Sequence, residues 1–361
     1  MTSPRVLIAG GGTGGHIIPA LTVARELVAR HQAEILFVGT ARGLESRLVP
    51  AAGFSLKLVE VGPLKNVSWV RRAGTLLNLP RSVLSCRRLI REFAPTAVFG
   101  VGGYASGPGM AAALLARVPA MAFEPNAMPG LANRLVGKRV NAAAVNFPSA
   151  AKWFRNAEVT GIPVRPEFFE LHAPSAHGPE LLIFGGSQGA RLFNLTCPQI
   201  APALLDAVPG LTIVHQSGAL HADSTRAAYE QSGAGADRWQ VQPFIEDMPA
   251  RFVAATLVMA RSGASTVAEL AAAGKPSLLV PFAAAADDHQ TRNAEEMVKA
   301  GAAAMLSEPE LGEPERLLRV LAELLTSPER LAAMAAAARP LAHPDAAARI
   351  ADRLARLSGG A

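Results

Sequence analysis

Short apolar runs of three or four residues recur along the chain, each followed by a longer stretch with helical spacing. In the first half they predict strands at Val6–Ala9, Ile35–Val38, Leu56–Val59, Val98–Gly100, Ala120–Phe123, Ala142–Val145 and Val159–Gly161. The second half repeats the plan at Leu181–Phe184, Thr212–His215, Trp239–Gln242, Leu257–Met259, Ser277–Val280 and Ala303–Leu306. Strand-helix alternation of this kind predicts parallel sheets with helices on both faces. The segment Gly161-Ile162-Pro163-Val164-Arg165-Pro166 breaks regular structure and marks a boundary. Two doubly wound α/β domains are therefore expected, residues 1–163 and 164–342. A last Ala-rich helix, about 343–357, is expected to pack back on the first.

Both halves open with a strand that runs into a glycine loop. Aligning Leu7 on Leu182 brings glycines into register at 10/185, 11/186 and 14/189. Such loops end in helix N-termini, whose N–H groups and positive dipole ends suit phosphate. A third loop, Gly102-Gly103-Tyr104-Ala105-Ser106-Gly107-Pro108, also precedes an Ala-rich helix, although Ser106 with Pro108 is equally a plain helix start. The first loop fits G-x-G-x-x-G through Gly10, Gly12 and Gly15. A dinucleotide site also wants an acid at the end of the second strand, which here reads Phe37-Val38-Gly39-Thr40-Ala41-Arg42. No redox cofactor is expected.

Composition narrows the class. The chain has 361 residues, half of them hydrophobic, and no uninterrupted apolar stretch near the roughly 20 residues that span a bilayer. A protein neither secreted nor transmembrane is expected. Cys86 and Cys197 are too few for a disulfide framework and read as core thiols. Charge is uneven: residues 1–163 carry nineteen Lys and Arg against seven Glu and no Asp, net +12, and the remainder is net −6. The basic half favours anionic partners.

Among groups able to move a proton, the basic half offers chiefly His16, at the start of the first post-loop helix, and Glu124; imidazole suits the task because it titrates near neutrality. His16 is also open to a bland reading, a helix-start histidine bonded to neighbouring backbone. Thr266 and Glu269 have the spacing of a capping box, whereas a carboxylate at Glu269 equally suits a ribose diol. Asp287, Asp288 and Gln290 read as helix-start chemistry. With no Asp-x-Asp pair in the chain, no metal is expected. Between Lys65 and Phe93 lie seven basic residues and one acid. Arg71, Arg72, Arg81, Arg87 and Arg88 interleave with Leu76, Leu79 and Val83, and Pro80 is expected to begin or kink a turn. This is either core stripe plus solvated face, or a surface that docks on anionic lipid.

Taken in order, these motifs resemble one family over essentially the whole chain. They are Gly11-Gly12-Thr13-Gly14-Gly15-His16 with Pro19, Gly103-Tyr104-Ala105-Ser106-Gly107-Pro108, Glu124-Pro125-Asn126 and Gly185-Gly186-Ser187-Gln188-Gly189-Ala190. Then follow Phe244-Ile245-Glu246-Asp247-Met248, Arg261-Ser262-Gly263-Ala264 with Glu269, and Asp287-Asp288-His289-Gln290 with Asn293-Ala294. The chain resembles the MurG family, UDP-N-acetylglucosamine:undecaprenyl-diphospho-muramoylpentapeptide N-acetylglucosaminyltransferases of bacterial peptidoglycan synthesis.

The resemblance implies a GT-B fold, two Rossmann-like domains flanking a cleft, and metal-independent inverting transfer from UDP-GlcNAc without a bound cofactor. It implies that the C-terminal domain holds the sugar nucleotide and that the N-terminal domain receives the undecaprenyl-diphosphate-linked muramyl pentapeptide. The enzyme would sit peripherally on the anionic cytoplasmic face of the membrane, beside other cell-wall synthesis proteins and without nucleic acid. Carried over, Ile245 contacts uracil through its backbone, Arg165 lies near the nucleotide, and Glu269 binds the ribose. Ser187, Ala264, Ser265 and Thr266 hold diphosphate and sugar; Thr13, Gly14, Gly15, Asn126 and Gln290 complete the sugar and acceptor side. His16 is the expected base. The competing readings are a UDP-GlcNAc 2-epimerase of the same fold and a non-catalytic sugar-nucleotide-binding protein.

Overall fold

The computed structural model describes residues 3–61, 69–103, 105–170 and 178–359, and of these the backbone alone at 69–77 and 286. They form two compact units, residues 1–163 with 343–361, and residues 164–342.

The first unit is built on β1 (Arg5–Gly10), β2 (Glu34–Gly39), β3 (Ser55–Leu58), β4 (Ala97–Gly102), β5 (Ala120–Glu124), β6 (Ala142–Val145) and β7 (Ala157–Val159). They lie parallel in the order β3-β2-β1-β4-β5-β6-β7. The central strands are buried along their length, so both faces call for apolar side chains. Leu7, Ala9, Val98, Ala122 and Val145 share one core with Cys86, Ile90 and Met110 from the covering helices. The seventh strand ends before the expected Val159–Gly161 run is complete, because Gly161 turns the chain at φ 77°. Helix Trp69–Phe93 runs continuously through Pro80 rather than beginning there. A proline removes only one intrahelical hydrogen bond, and Ser82, Cys86 and Ile90 anchor the following turns by burial.

Helix Ala346–Ser358 belongs to this unit and packs on helix Gly14–His31. Ile350 and Leu354 are fully buried there. Asp352 accepts from Arg30 at 2.9 Å and lies 2.8 Å from His31 Nε2, and the Arg30 contact holds its carboxyl below the usual range. Arg349 and Arg353 both donate to Glu158, at 2.8 and 2.7 Å.

The second unit contains β8 (Glu180–Phe184), β9 (Thr212–Gln216), β10 (Trp239–Gln242), β11 (Leu257–Ala260), β12 (Ser277–Leu279) and β13 (Ala303–Met305). Their parallel order is β10-β9-β8-β11-β12-β13, the same winding as the first six strands of the other unit. Leu181, Ile183, Phe193, Cys197, Tyr229 and Met259 lie in its core. Burial pushes the Cys86 thiol up to about 11 and that of Cys197 to about 12. In both sheets the strand order reverses beside the first strand, at β1/β4 and at β8/β11. The loops leaving those strand ends are where an open α/β sheet offers a binding crevice.

Candidate functional site

In the first unit the loop after β1 leads to Thr13, whose extended backbone caps helix Gly14–His31. Thr13, Gly14, Gly15 and His16 thus occupy the cap and first turn of one helix, where N–H groups lack intrahelical partners. The N–H groups of His16 and Ile17 both donate to the Thr13 carbonyl at 3.2 Å, and Thr13 Oγ1 lies 3.0 Å from His16 Nδ1. The loop after β4 backs this arrangement. Gly11 N–H donates to the Gly102 carbonyl at 3.2 Å, a Cβ at Gly102 would collide with the His16 ring, and one at Gly103 with the Gly11 carbonyl. Glycines 102 and 103 are therefore required by close packing against the first loop.

Glu124, at the end of β5, is almost wholly buried, and burial raises its carboxyl above the ordinary range. Its Oε1 accepts from the N–H and side-chain amide of Asn126, and its Oε2 from Gly130 N–H and Asn133 Nδ2, all within 3.2 Å. With four donors it shapes the 124–133 loop and sets the place of Asn126.

Sequence reasoning passed over Glu45. This carboxylate is 1% exposed and accepts from Gly12 N–H at 2.6 Å and from the Thr40 N–H and hydroxyl at 2.8 and 2.9 Å. The signal available beforehand was an acid between Gly39, Gly43 and the first loop's glycines, a clue only once β1 and β2 are known to be neighbours.

In the second unit the loop Gly185–Gly189 closes with Gly189 N–H donating to Gly186 O at 3.0 Å, and Ser187 is exposed at its tip. Gln216, buried at the end of β9, donates from Nε2 to Gly186 O at 2.9 Å and accepts at Oε1 from Ile245 N–H at 2.8 Å. One amide thus ties the glycine loop to the Ile245 segment. Since the Ile245 N–H is committed there, further backbone contact from that residue falls to its carbonyl.

The loop after β11 starts helix Ala264–Ala273, with Gly263 as its cap. Ala264, Ser265 and Thr266 are the first three helical residues and offer helix-start N–H groups. The capping box expected of Thr266 and Glu269 is not formed, because the helix begins two residues earlier and Glu269 sits in its second turn. Among the described residues Glu269 makes no hydrogen bond. Burial pushes its carboxyl up to about 7, opposed by the charge of Arg165. The Arg165 guanidinium lies 5.0 Å above the Phe168 ring.

Helix His289–Lys299 starts in this segment and takes Asp288, not Asp287, as its cap residue. Gln290 is the second residue of helix His289–Lys299; its Oε1 accepts from Phe282 N–H at 3.0 Å and its carbonyl from Ser262 Oγ at 2.8 Å. Asp288 accepts from the Thr291 hydroxyl. Arg261 stacks on Phe193 and Phe282, with its Cζ 4.9 and 5.3 Å from the ring centroids, and binds Glu308 and the carbonyls of Val280 and Pro281. A cavity of about 520 Å³ is lined by Gly185, Gly189, Arg191, Arg261, Gln290 and Glu308. Among the described residues no group of three or more His, Cys, Asp or Glu is arranged to hold a metal ion.

The basic segment lies on helix Trp69–Phe93. Arg71, Arg72 and Leu76 fall outside the residues whose side chains are described. Arg81, Arg87 and Arg88 are exposed and Leu79 is half-buried. Val83 turns inward against the core, because it shares a face with Cys86 and Ile90. Among the described side chains of this stretch, Leu84 is the large apolar one that is exposed, at 61%. Leu115 and Leu135, on other helices of the unit, are exposed to a similar degree. No described helix is long and apolar enough to cross a membrane.

Comparison with known proteins matches residues 6–145 to the glycosyltransferase family 28 N-terminal domain and residues 180–350 to the family's C-terminal domain. A UDP-N-acetylglucosamine--N-acetylmuramyl-(pentapeptide) pyrophosphoryl-undecaprenol N-acetylglucosamine transferase of Solibacter usitatus is 48% identical, covering 98% of this chain and 96% of that protein. The crystal structure of Acinetobacter baumannii MurG superposes with a TM-score of 0.82 at 31% identity, covering 97% of this chain and 99% of that one. A UDP-N-acetylglucosamine 2-epimerase gives a TM-score of 0.66 at 13% identity, covering 98% of this chain and 96% of its own, a likeness of fold alone.

Proposed function

The chain belongs to glycosyltransferase family 28, and on that premise we propose that it moves GlcNAc from UDP-GlcNAc to the muramyl 4-hydroxyl of undecaprenyl-diphospho-MurNAc-pentapeptide, forming a β-1,4 link in peptidoglycan synthesis. The observation that carries the reading lies in the second unit. The Gly185–Gly189 loop, the helix start at Ala264 to Thr266 and the carboxylate of Glu269, which has no hydrogen bond among the described residues, all follow the adjoining strands β8 and β11. Loop and helix-start N–H groups suit a diphosphate, and a carboxylate free of hydrogen bonds suits two ribose hydroxyls. Arg165 and the Ile245 carbonyl complete the nucleotide side, Ser187 the diphosphate, and Gln290 the sugar.

The first unit receives the acceptor, with Thr13, Gly14, Gly15 and Asn126 around the sugar. The muramyl O4 attacks the anomeric carbon from the face opposite UDP. The new C–O bond forms as the bond to phosphate breaks, the electron pair leaves on UDP, and the hydroxyl proton passes to His16. Fixed N–H donors act where charge grows on the leaving diphosphate, so the reaction needs no resident cofactor. Exposed Arg81, Arg87 and Arg88 with Leu84 support peripheral docking on the anionic cytoplasmic face of the membrane.

The test is incubation with labelled UDP-GlcNAc and the lipid-linked muramyl pentapeptide, followed by product mass. A disaccharide-lipid product is expected. UDP release and a 2-epimerised sugar without acceptor would convert the assignment to an epimerase, and binding of UDP-GlcNAc without consumption would make the protein a binding module.

A further inference from the structure

Glu45 opens the short helix Glu45–Ala51, where a carboxylate ordinarily faces water, yet it is enclosed. A Cβ at Gly11, Gly39 or Gly43 would run into its side chain, so glycines from the first loop and from the segment after β2 form its cage. Its three hydrogen bonds reach Gly12 on one side and Thr40 on the other. No Lys, Arg or His pairs with it among the described residues. Burying an anion without a cation is a costly way to gain stability, whereas it is an effective way to fix a loop of positive-φ glycines. Gly11 and Gly12 stand at φ 144° and 95°.

The next residue is Thr13, whose carbonyl and hydroxyl engage His16. We propose that Glu45 is a positioning residue: by clamping Gly12 to Thr40 it fixes the start of helix Gly14–His31 and so the placement of the His16 imidazole. This rests on the role given to His16 above. An amide is a poor replacement, because its single oxygen cannot serve all three donors and its NH₂ would face an N–H.

The test is Glu45→Gln, with Thr40→Val and Thr40→Ser as milder variants that remove and restore one bond. In Glu45→Gln, kcat should fall roughly 10²-fold, the scale of a small misplacement of a reacting group. The KM for UDP-GlcNAc should stay within about twofold, since only transition-state placement is lost. Thr40→Val should lower kcat several-fold and Thr40→Ser recover it. Unchanged kcat in folded Glu45→Gln, or kcat and KM for UDP-GlcNAc worsening in parallel, overturns the proposal. If Glu45→Gln does not fold, unchanged kcat in Thr40→Val does the same. The His16 side-chain NMR signal, read in these variants against wild type, decides the matter even if the acceptor is not turned over. A displaced signal is expected, and an unmoved one overturns the clamp. Absence of product from wild type counts instead against the transferase reading.

Discussion

The two glycine loops leave equivalent strands and share their glycine register, yet they are locked by groups of opposite character. The first gives up an N–H, that of Gly12, to the anionic carboxylate of Glu45. The second gives up a carbonyl, that of Gly186, to the neutral amide of Gln216. A loop held by its carbonyl gives no N–H to a fixed anion and keeps its positive local field, whereas a loop already bonded to a carboxylate has part of that field cancelled. Under the function proposed above, the same turn serves a diphosphate in one unit and the placing of a protonatable side chain in the other. Glycine pattern alone does not distinguish these uses; the side chain behind the loop does.

Four outcomes test this contrast. The largest is expected in the first unit: His16→Ala should lower kcat by about 10²- to 10⁴-fold, the usual span for general-base help, with UDP affinity preserved by calorimetry. Full turnover in the folded variant would remove His16 from the proposed chemistry. Next, Glu269→Gln should weaken UDP binding on the order of 10²-fold, since hydrogen bonds to a charged group contribute about 1.5–3 kcal/mol each. Its melting temperature should hold or rise, because a buried carboxylate is replaced by a neutral amide; a lower melting temperature with unchanged UDP affinity would make Glu269 purely structural.

Third, Arg81→Glu combined with Arg87→Glu should reduce sedimentation with anionic vesicles by roughly tenfold or more, while UDP binding stays constant. Equal binding to vesicles would move the docking surface elsewhere. The smallest effect is a pH dependence confined to the second unit. Burial raises the Glu269 carboxyl to about 7, so the anion proposed to accept the ribose diol forms only as pH rises through that value. UDP affinity should therefore fall about tenfold per unit below pH 7 and be flat in Glu269→Gln. The linked effect on folding has the opposite sense: the native state holds this proton more tightly than the unfolded chain. The residue's contribution thus becomes less favourable as pH climbs from about 4.5 to 7.

Both parallel sheets and the register of the two glycine loops were legible in the sequence, because the central strands β1, β4, β8 and β11 each carry an apolar run of three or four residues. Element ends were less so. The Thr266 and Glu269 spacing mimics a cap, but the chain turns helical at Ala264, where Gly263 places no side chain in competition. Pro80 reads as a breaker in one dimension and is carried through by buried neighbours on the same helix. Val83 and Leu84 differ by one position, and only the direction of the core separates the inward residue from the outward one. Glu45 was illegible for a stronger reason: its partners lie at positions 12 and 40, and nothing in its own heptapeptide signals burial.

Helix Ala346–Ser358 covers β1, β4 and helix Gly14–His31, elements translated well before it. The amino-terminal unit therefore remains unfinished on the ribosome until the second unit has been translated and residues 346–358 follow it, with an apolar face waiting for Ile350 and Leu354. A gene divided at the linker would yield a first fragment lacking its own lid, prone to aggregate, and rescued by supplying the closing peptide in trans.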